Sequence, residues 1–399
     1  MNKPADNTSD TASGYSAGLL ILLAALVALG PLTIDMYLPA MPGMVDALGT
    51  DTSRVQLTLS AYLLGFSIFH LVCGPLADRY GRRPVLLGGL ALYIVATIAC
   101  ASAQTIDELI LYRFIQGIAA CVGPTLGRAM ARDLFGPNGA ARALAYIAMI
   151  MALAPAVAPS LGGIMLQFLP WPSVFIALAA YALLIAVLVY ARLPESLPSV
   201  QAIHPLNIAR NYLTLMRHSQ YRTTTLASAM LYAGMVAFLS GSSFIFIDMM
   251  GVPTTWFGSL FLTTVAGYIA GNALSTRLAL GRSSERVMWL GIQLAIAGGA
   301  LMLIASELWF HPVSIIVPMA LYSTALGMVL PHAMATALRP FPHMAGTASA
   351  LFGFVQMGLS AASGALVGAW LTDSARPMAL TILAASVVAW MLIGTLRRS

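Results

Sequence analysis

Charge is what this sequence has least of. Asp, Glu, Lys and Arg together make up 9% of its 399 residues, against about 25% in soluble domains. Lysine is nearly absent: Lys3 is the only one. A phosphate-gripping Gly-x-x-x-x-Gly-Lys loop therefore cannot be built anywhere along the chain, and no nucleotide-driven machinery is expected. Cysteine is scarce too. Cys73, Cys100 and Cys121 each fall inside an apolar run, which excludes a disulfide framework, and no His or Cys pair has metal-ligand spacing. No catalytic constellation, no metal and no other cofactor is expected, so the chain does not read as an enzyme. The formal charge of +6 comes from arginines lying between apolar runs, a placement that argues against nucleic acid as a partner.

What is present in abundance is apolar length. Hydrophobic residues make up 59% of the chain and the mean hydropathy is +0.85. A helix needs about 20 apolar residues to cross a bilayer. Twelve runs meet that length: roughly 17–40, 54–75, 84–102, 109–130, 143–166, 172–192, 223–247, 255–278, 286–306, 313–332, 345–370 and 377–396. The expected fold is an all-α integral membrane protein of twelve transmembrane helices. Residues 1–16 are polar, without a basic start or a clear cleavage site, and read as a cytoplasmic tail before a retained first span.

The arginines orient the chain. With the N-terminus inside, sixteen of them fall in inner loops and tails, among them Arg79, Arg82, Arg83, Arg128 and Arg132; only Arg54 and Arg376 fall outside. The positive-inside rule then places both termini in the cytoplasm, as in a multi-pass protein of a bacterial-type inner membrane. The longest inner connection, 193–222, holds Pro194, Pro198 and Pro205. It divides the chain into a six-helix bundle over 17–192 and a second over 223–396, with a tail at 397–399. A shift of 200 residues lays Gly81-Arg82-Arg83 over Gly281-Arg282-Ser283, each after the second span of its half. The second copy carries Leu278 where the first has Asp78, so two pseudo-symmetric halves with one degraded loop are expected.

Three places carry chemistry. The loop after span 2 compresses Gly74, Asp78, Arg79, Gly81, Arg82 and Arg83 into ten residues. Asp78 ends a helix and can face a helix N-terminus or a neighbouring arginine such as Arg132. A charge latch of this kind holds one conformation and breaks in another; the plainer reading is that the arginines only mark the inner surface. Asp35 lies inside span 1 between Pro31 and Pro39, about five residues before the expected outer end. An acid in a membrane span is costly and points to function. Burial penalises the charged form of a carboxyl, which suits a proton taken up at one stage of a cycle and given up at another. The alternative is an aspartate that merely caps the outer end. Arg113 in span 4 comes at a similar depth and either pairs with Asp35 in one state or is a structural arginine on backbone carbonyls. Gln116, one turn further in, faces the same way. Asp248 ends span 7 on the outer side and is a softer signal.

These residues resemble a known family. Twelve spans, with Gly74-x-x-x-Asp78-Arg79-x-Gly81-Arg82-Arg83 following span 2, resemble the major facilitator superfamily. Asp35-Met36-Tyr37-Leu38-Pro39-Ala40, Arg113-Phe114-Ile115-Gln116-Gly117 and the run Ala154-Pro155-Ala156-Val157-Ala158-Pro159-Ser160-Leu161-Gly162-Gly163 narrow the resemblance to the bicyclomycin-resistance (Bcr/CflA) type of drug/proton antiporters. The last run is similar to the antiporter motif, through Pro155, Pro159, Gly162 and Gly163, with alanine at both early glycine positions; close helix packing alone would also explain it.

The resemblance implies a proton-coupled exporter of small amphipathic or apolar compounds, of phenicol or bicyclomycin kind, working by alternating access. It assigns Arg113 together with Asp35 to proton coupling. Because spans 1, 2 and 4 line the cavity in this family, it makes Met36, Tyr37, Tyr62, Phe66 and Gln116 weak candidates for substrate contact. The implied partners are a drug-like small molecule, protons and the lipid bilayer, with the chain a monomer and no nucleic acid involved. Two rivals remain at this point: an exporter of an endogenous metabolite, and a membrane sensor or scaffold that moves nothing.

Overall fold

A computed structural model describes residues 17–197, 205–371 and 373–396. The expected tails 1–16 and 397–399, and the part of the linker that includes Pro198, lie outside the described residues. Twelve helices are long and apolar enough to span a membrane: Ala17–Ala47, Thr52–Tyr80, Arg82–Ser102, Ile106–Gly136, Gly139–Met165, Pro172–Arg192, Ser219–Met249, Thr254–Ala279, Ser284–Leu308, Pro312–Leu338, Pro342–Trp370 and Arg376–Thr395. They are numbered spans 1 to 12, and among the described residues there is no strand. The ends that carry the arginine-rich loops form one face, called here the basic face, opposite a far face.

Local chemistry sets where these helices begin. Asp51 caps span 2 by accepting from the Arg54 N–H at 2.9 Å. Thr105 does the same for span 4 through Glu108, and Ser283 for span 9 through Arg286. Each satisfies one of the free N–H groups that a helix start leaves behind.

Span 1 departs from expectation. Its first helix ends at Asp35, a short 3-10 turn occupies Leu38–Ala40, and a further helix Met41–Ala47 completes it. Asp35 thus stands twelve residues before the far end at Ala47, rather than about five. Pro39 has no N–H for the Asp35 carbonyl four residues back, and the Ala40 N–H donates to the Tyr37 carbonyl at 3.0 Å instead of to Met36, so the helix loosens there. Irregular backbone at membrane depth survives only where protein covers it. Gly162 of span 5 does so: a methyl group on it would overlap the Met36 carbonyl oxygen.

Glycine contacts also fix the pairings within each half. Span 2 seats Gly65 on the Phe114 carbonyl while span 4 seats Gly117 on the Tyr62 carbonyl. Spans 8 and 10 repeat the arrangement with Gly271 on Thr324 and Gly327 on Tyr268. Small residues let membrane helices approach this closely. Spans 1–6 pack mainly among themselves, as do spans 7–12, and the two sets meet along spans 2 with 11 and 5 with 8.

Across that seam, Ser67 donates to the Phe354 carbonyl at 2.8 Å. Nearer the far face, Ser240 donates to Gln56 Oε1 at 2.9 Å, and Gly163 of span 5 sits on the Thr254 carbonyl at the start of span 8. On the basic face the linker helix Pro205–Arg217 is tied to span 2 by Tyr212, whose hydroxyl donates to the Leu71 carbonyl at 2.8 Å. Exposed Trp256, Trp309 and Trp370 ring the far face, where amphipathic indoles suit the membrane–water boundary.

Candidate functional site

Arg113 is fully buried, with 0% of its surface exposed. Its guanidinium lies over the rings of Tyr37 at 4.4 Å and Tyr62 at 4.5 Å, with Phe175 at 5.8 Å. Aromatic faces stabilise a cation that has left water. One nitrogen, Nη1, donates to Gln116 Oε1 at 2.7 Å, while Nε and Nη2 have no hydrogen-bond partner. From Gln116 a polar chain runs toward span 1. Gln116 Nε2 donates to Thr97 Oγ1 at 2.8 Å, Thr97 donates to the Tyr93 carbonyl, and the Tyr93 hydroxyl meets Thr33 Oγ1 at 2.6 Å. Thr33 lies two residues before Asp35.

Asp35 itself is buried, with 4% exposure, and forms no ion pair or hydrogen bond with the described residues. The direct Asp35–Arg113 pair is therefore not made in this state. Arg113 points into the packing of spans 1, 2, 4 and 6, and Asp35 points elsewhere, within electrostatic reach of Tyr232 in span 7. Tyr232 belongs to the other half, so Asp35 faces the seam.

The remaining weak candidates sit around the arginine. Tyr37, Tyr62 and Gln116 are fully buried and touch it, Phe66 stacks beside Tyr62 at 6.3 Å, and Met36 supplies the carbonyl under Gly162. None of the five lines the cavity that lies between spans 5, 7, 8 and 10. That small, partly open cavity is walled by Ala152, Pro155, Met235, Thr264, Val265, Tyr268, Ser323 and Leu326. Pro155 of the antiporter-like run thus faces the cavity, while Gly162 and Gly163 of the same run hold spans 1 and 8. Pro159 lies on the helix turn between them. Asp248 is exposed at the far face, in a π-turn Phe244–Met249.

In the loop after span 2, Asp78 has a neighbouring arginine within electrostatic reach, Arg82. Asp78 and Arg132 form no ion pair with each other. Instead Arg82 pairs with Asp133, and Ser196 donates to the same Asp133 carboxylate at 3.0 Å. Successive residues of a helix point about 100° apart, so Asp133, not Arg132, meets the loop. Gly81 takes φ +93°, a conformation that favours glycine, and turns the chain sharply into span 3. Arg83 donates to the Tyr190 carbonyl at 2.6 Å, and Arg79 lies over the Tyr80 ring. Gly74 has open space around it.

Glu195 completes this corner. Its carboxylate accepts from the backbone N–H groups of Arg82 and Arg83 at 3.1 Å each, and from Ser196 and Leu197 at 2.9 and 3.0 Å. It caps span 3 from the end of span 6. Partial burial pushes the carboxyl up, but the four N–H donors outweigh this and hold it below its ordinary value of 4.5. A carboxyl lowered in the folded state stabilises above its unfolded value, and that contribution is lost as pH falls through the lowered one. Glu195→Gln is expected to lower the melting temperature at pH 7, with the gap to the unsubstituted protein closing as the pH drops below about 4. Because the group is largely exposed, the effect is under about 1 kcal/mol; thermal melts across a pH series read it directly.

Sequence reasoning missed Glu195, although it is the only carboxylate between Asp133 and Asp248. It also missed Phe175, Thr33, Tyr93 and Thr97, which have no such signal.

Residues 21–365 match the family described as Major Facilitator Superfamily. The chain is 29% identical over 374 residues to a "Bicyclomycin resistance protein homolog" of Haemophilus influenzae, covering 92% of this chain and 93% of that one. It is 30% identical to a "Chloramphenicol resistance protein" of Pseudomonas aeruginosa, over 84% and 80% of the two chains, and 28% identical to "Multidrug resistance protein D" of Escherichia coli, over 86% of each. Among solved structures it superposes on a peptide transporter in complex with sulfate with a TM-score of 0.80 at 15% identity, over 97% and 95% of the chains. A D-xylose–proton symporter gives 0.71 at 14% identity, over 94% and 98%.

Proposed function

The chain belongs to the Major Facilitator Superfamily, in the branch of the bicyclomycin- and chloramphenicol-resistance transporters, and from that premise we propose that it expels small amphipathic or apolar compounds in exchange for protons. Membership makes it a multi-pass membrane transporter and not an enzyme. The basic face is then the cytoplasmic one, with both termini on it, and the two six-span bundles rock about the seam between them. A single chain suffices, and the proton gradient takes the place of a cofactor.

Asp35 carries this reading. It is a buried acid with no hydrogen bond or ion pair among the described residues, set at a break in span 1 and within electrostatic reach of Tyr232 in the other half. Protonation from the far, external face favours the release of substrate there, and deprotonation toward the cytoplasm favours reloading. Arg113, with its polar contacts through Gln116, Thr97, Tyr93 and Thr33, braces the same stretch of span 1 within the first bundle. The Arg82–Asp133 pair and the Glu195 cap hold the cytoplasmic ends of spans 3, 4 and 6 as one body during the movement.

The test is transport into proteoliposomes preloaded at acid pH and diluted into neutral buffer. Chloramphenicol or bicyclomycin is expected to accumulate as protons leave, and a protonophore is expected to abolish the accumulation. If neither compound nor any of a panel of lipophilic drugs accumulates, drug export is wrong and an endogenous metabolite becomes the substrate to seek.

A further inference from the structure

The linker helix Pro205–Arg217 has two faces of opposite chemistry. Ile208, Tyr212, Leu215 and Met216 recur at helical spacing and are wholly or partly buried. Leu215 and Met216 pack with Tyr221, Phe341, Leu351 and Phe352 of the second bundle, while the Tyr212 hydroxyl reaches the Leu71 carbonyl of the first. The opposite face carries Arg210, Leu213 and Arg217, all exposed. At 100° per residue these three fall within about 60° of one another.

Nothing in the protein answers that face. The stretch 196–247 contains no acidic residue, and neither arginine forms an ion pair among the described residues. Arg222, exposed at the start of span 7, adds a third cation without an acid. Between the two arginines Leu213 leaves 51% of its surface exposed.

The height at which the helix is held decides what can meet it. Leu71 lies nine residues before Tyr80, the last residue of span 2, or about 14 Å along the axis. Leu351 likewise lies nine residues past Pro342, where span 11 begins. Both spans run on past the linker helix, so it rests level with their sides and not beneath their ends. A helix at that height, with basic side chains flanking an apolar one, suits the boundary between headgroups and acyl chains.

We infer that this face is a docking surface for an anionic phospholipid of the leaflet on the basic face, with Arg210 and Arg217 taking the headgroup phosphate and Leu213 lying against the acyl chain. Guanidinium groups pair with phosphate through parallel N–H···O bonds, and each basic side chain at an anionic surface adds to the attraction. Because the helix is tied to both bundles, the lipid holds it where it bridges them. None of this depends on what the chain transports.

The full chain in lipid nanodiscs tests the surface. Leu213→Cys, in a protein whose Cys73, Cys100 and Cys121 are all buried, is labelled with bimane, and quenching by lipids brominated on the acyl chain is read without any transport. Brominated phosphatidylglycerol is expected to quench about fivefold better, mole for mole, than brominated phosphatidylcholine. Adding Arg210→Gln and Arg217→Gln is expected to equalise the two lipids, and excess inorganic phosphate is expected to leave the preference in place. Equal quenching before the arginines are changed, or a preference that survives their loss, overturns the site. Loss of the preference to inorganic phosphate makes the ligand a free anion, and no quenching by either lipid means that the face meets water or a soluble partner; each overturns the lipid. The unsubstituted protein needs no label. Released from an equimolar lipid mixture in native mass spectrometry, it is expected to keep more phosphatidylglycerol than phosphatidylcholine, and equal shares overturn the surface as well.

Discussion

Asp35→Asn is expected to reduce gradient-driven drug accumulation in proteoliposomes to background, while exchange of labelled for unlabelled drug without a gradient continues. The asymmetry follows from the geometry. Asp35 makes no hydrogen bond or ion pair with the described residues, so the amide breaks no contact and the fold persists. What the substitution removes is the ability to carry a proton through the cycle. Asparagine is a permanent stand-in for the neutral form, so the transporter can still rock with drug bound but can no longer draw on the gradient. Loss of both activities would mean a structural role for Asp35. Retention of gradient-driven accumulation would move coupling elsewhere, with Asp248 the next candidate.

Joining spans 2 and 11 at the far face is expected to stop transport altogether. A Cβ on Gly368 would stand 3.0 Å from Gln56 Cβ. A disulfide needs Cβ atoms about 3.5–4.5 Å apart, so the Gln56→Cys, Gly368→Cys pair closes a bridge with a shift of a few tenths of an ångström. The two residues belong to opposite bundles, and the external opening of an exporter that rocks must separate them. Oxidation should take accumulation to background, a reductant should restore it, and neither single variant should respond to oxidant. Full transport by the oxidised double variant, with the bridge verified by mass spectrometry, would show that the halves do not part along this edge.

Much of this architecture is legible in the sequence, because membrane crossing is a one-dimensional constraint. Apolar length locates all twelve spans, and arginine placement separates the two faces. Span 1 shows where such reading stops. Pro39, Pro42 and Gly43 have the composition of a helix terminus, yet proline fits the first turn of a helix, and the chain resumes at Met41 and continues to Ala47. Depth along a span is legible in the same way, so Asp35 and Arg113 stand out as intramembrane charges. The direction a side chain takes around its helix is not. Arg113 is received by Tyr37, Tyr62 and Phe175 from three other spans, a meeting that only tertiary packing decides. The ion pair falls on Asp133 instead of Arg132 for the same reason. The cavity is the least legible feature of all, since a wall of Pro, Met, Thr, Tyr, Ser and Leu has the composition of any lipid-facing surface.

The adjacent glycines of span 5 tie these observations into a mechanical relation. Gly162 rests on the Met36 carbonyl, one residue past Asp35, and Gly163 rests on the Thr254 carbonyl at the head of span 8. In the proposed rocking, a swing of span 8 that opens the far face would take Gly163 off its seat and leave Gly162 on its own, so span 5 would pivot on the broken segment of span 1. The fulcrum would be the peptide beside the acid, and the angle between the bundles and the surroundings of Asp35 would change in one motion.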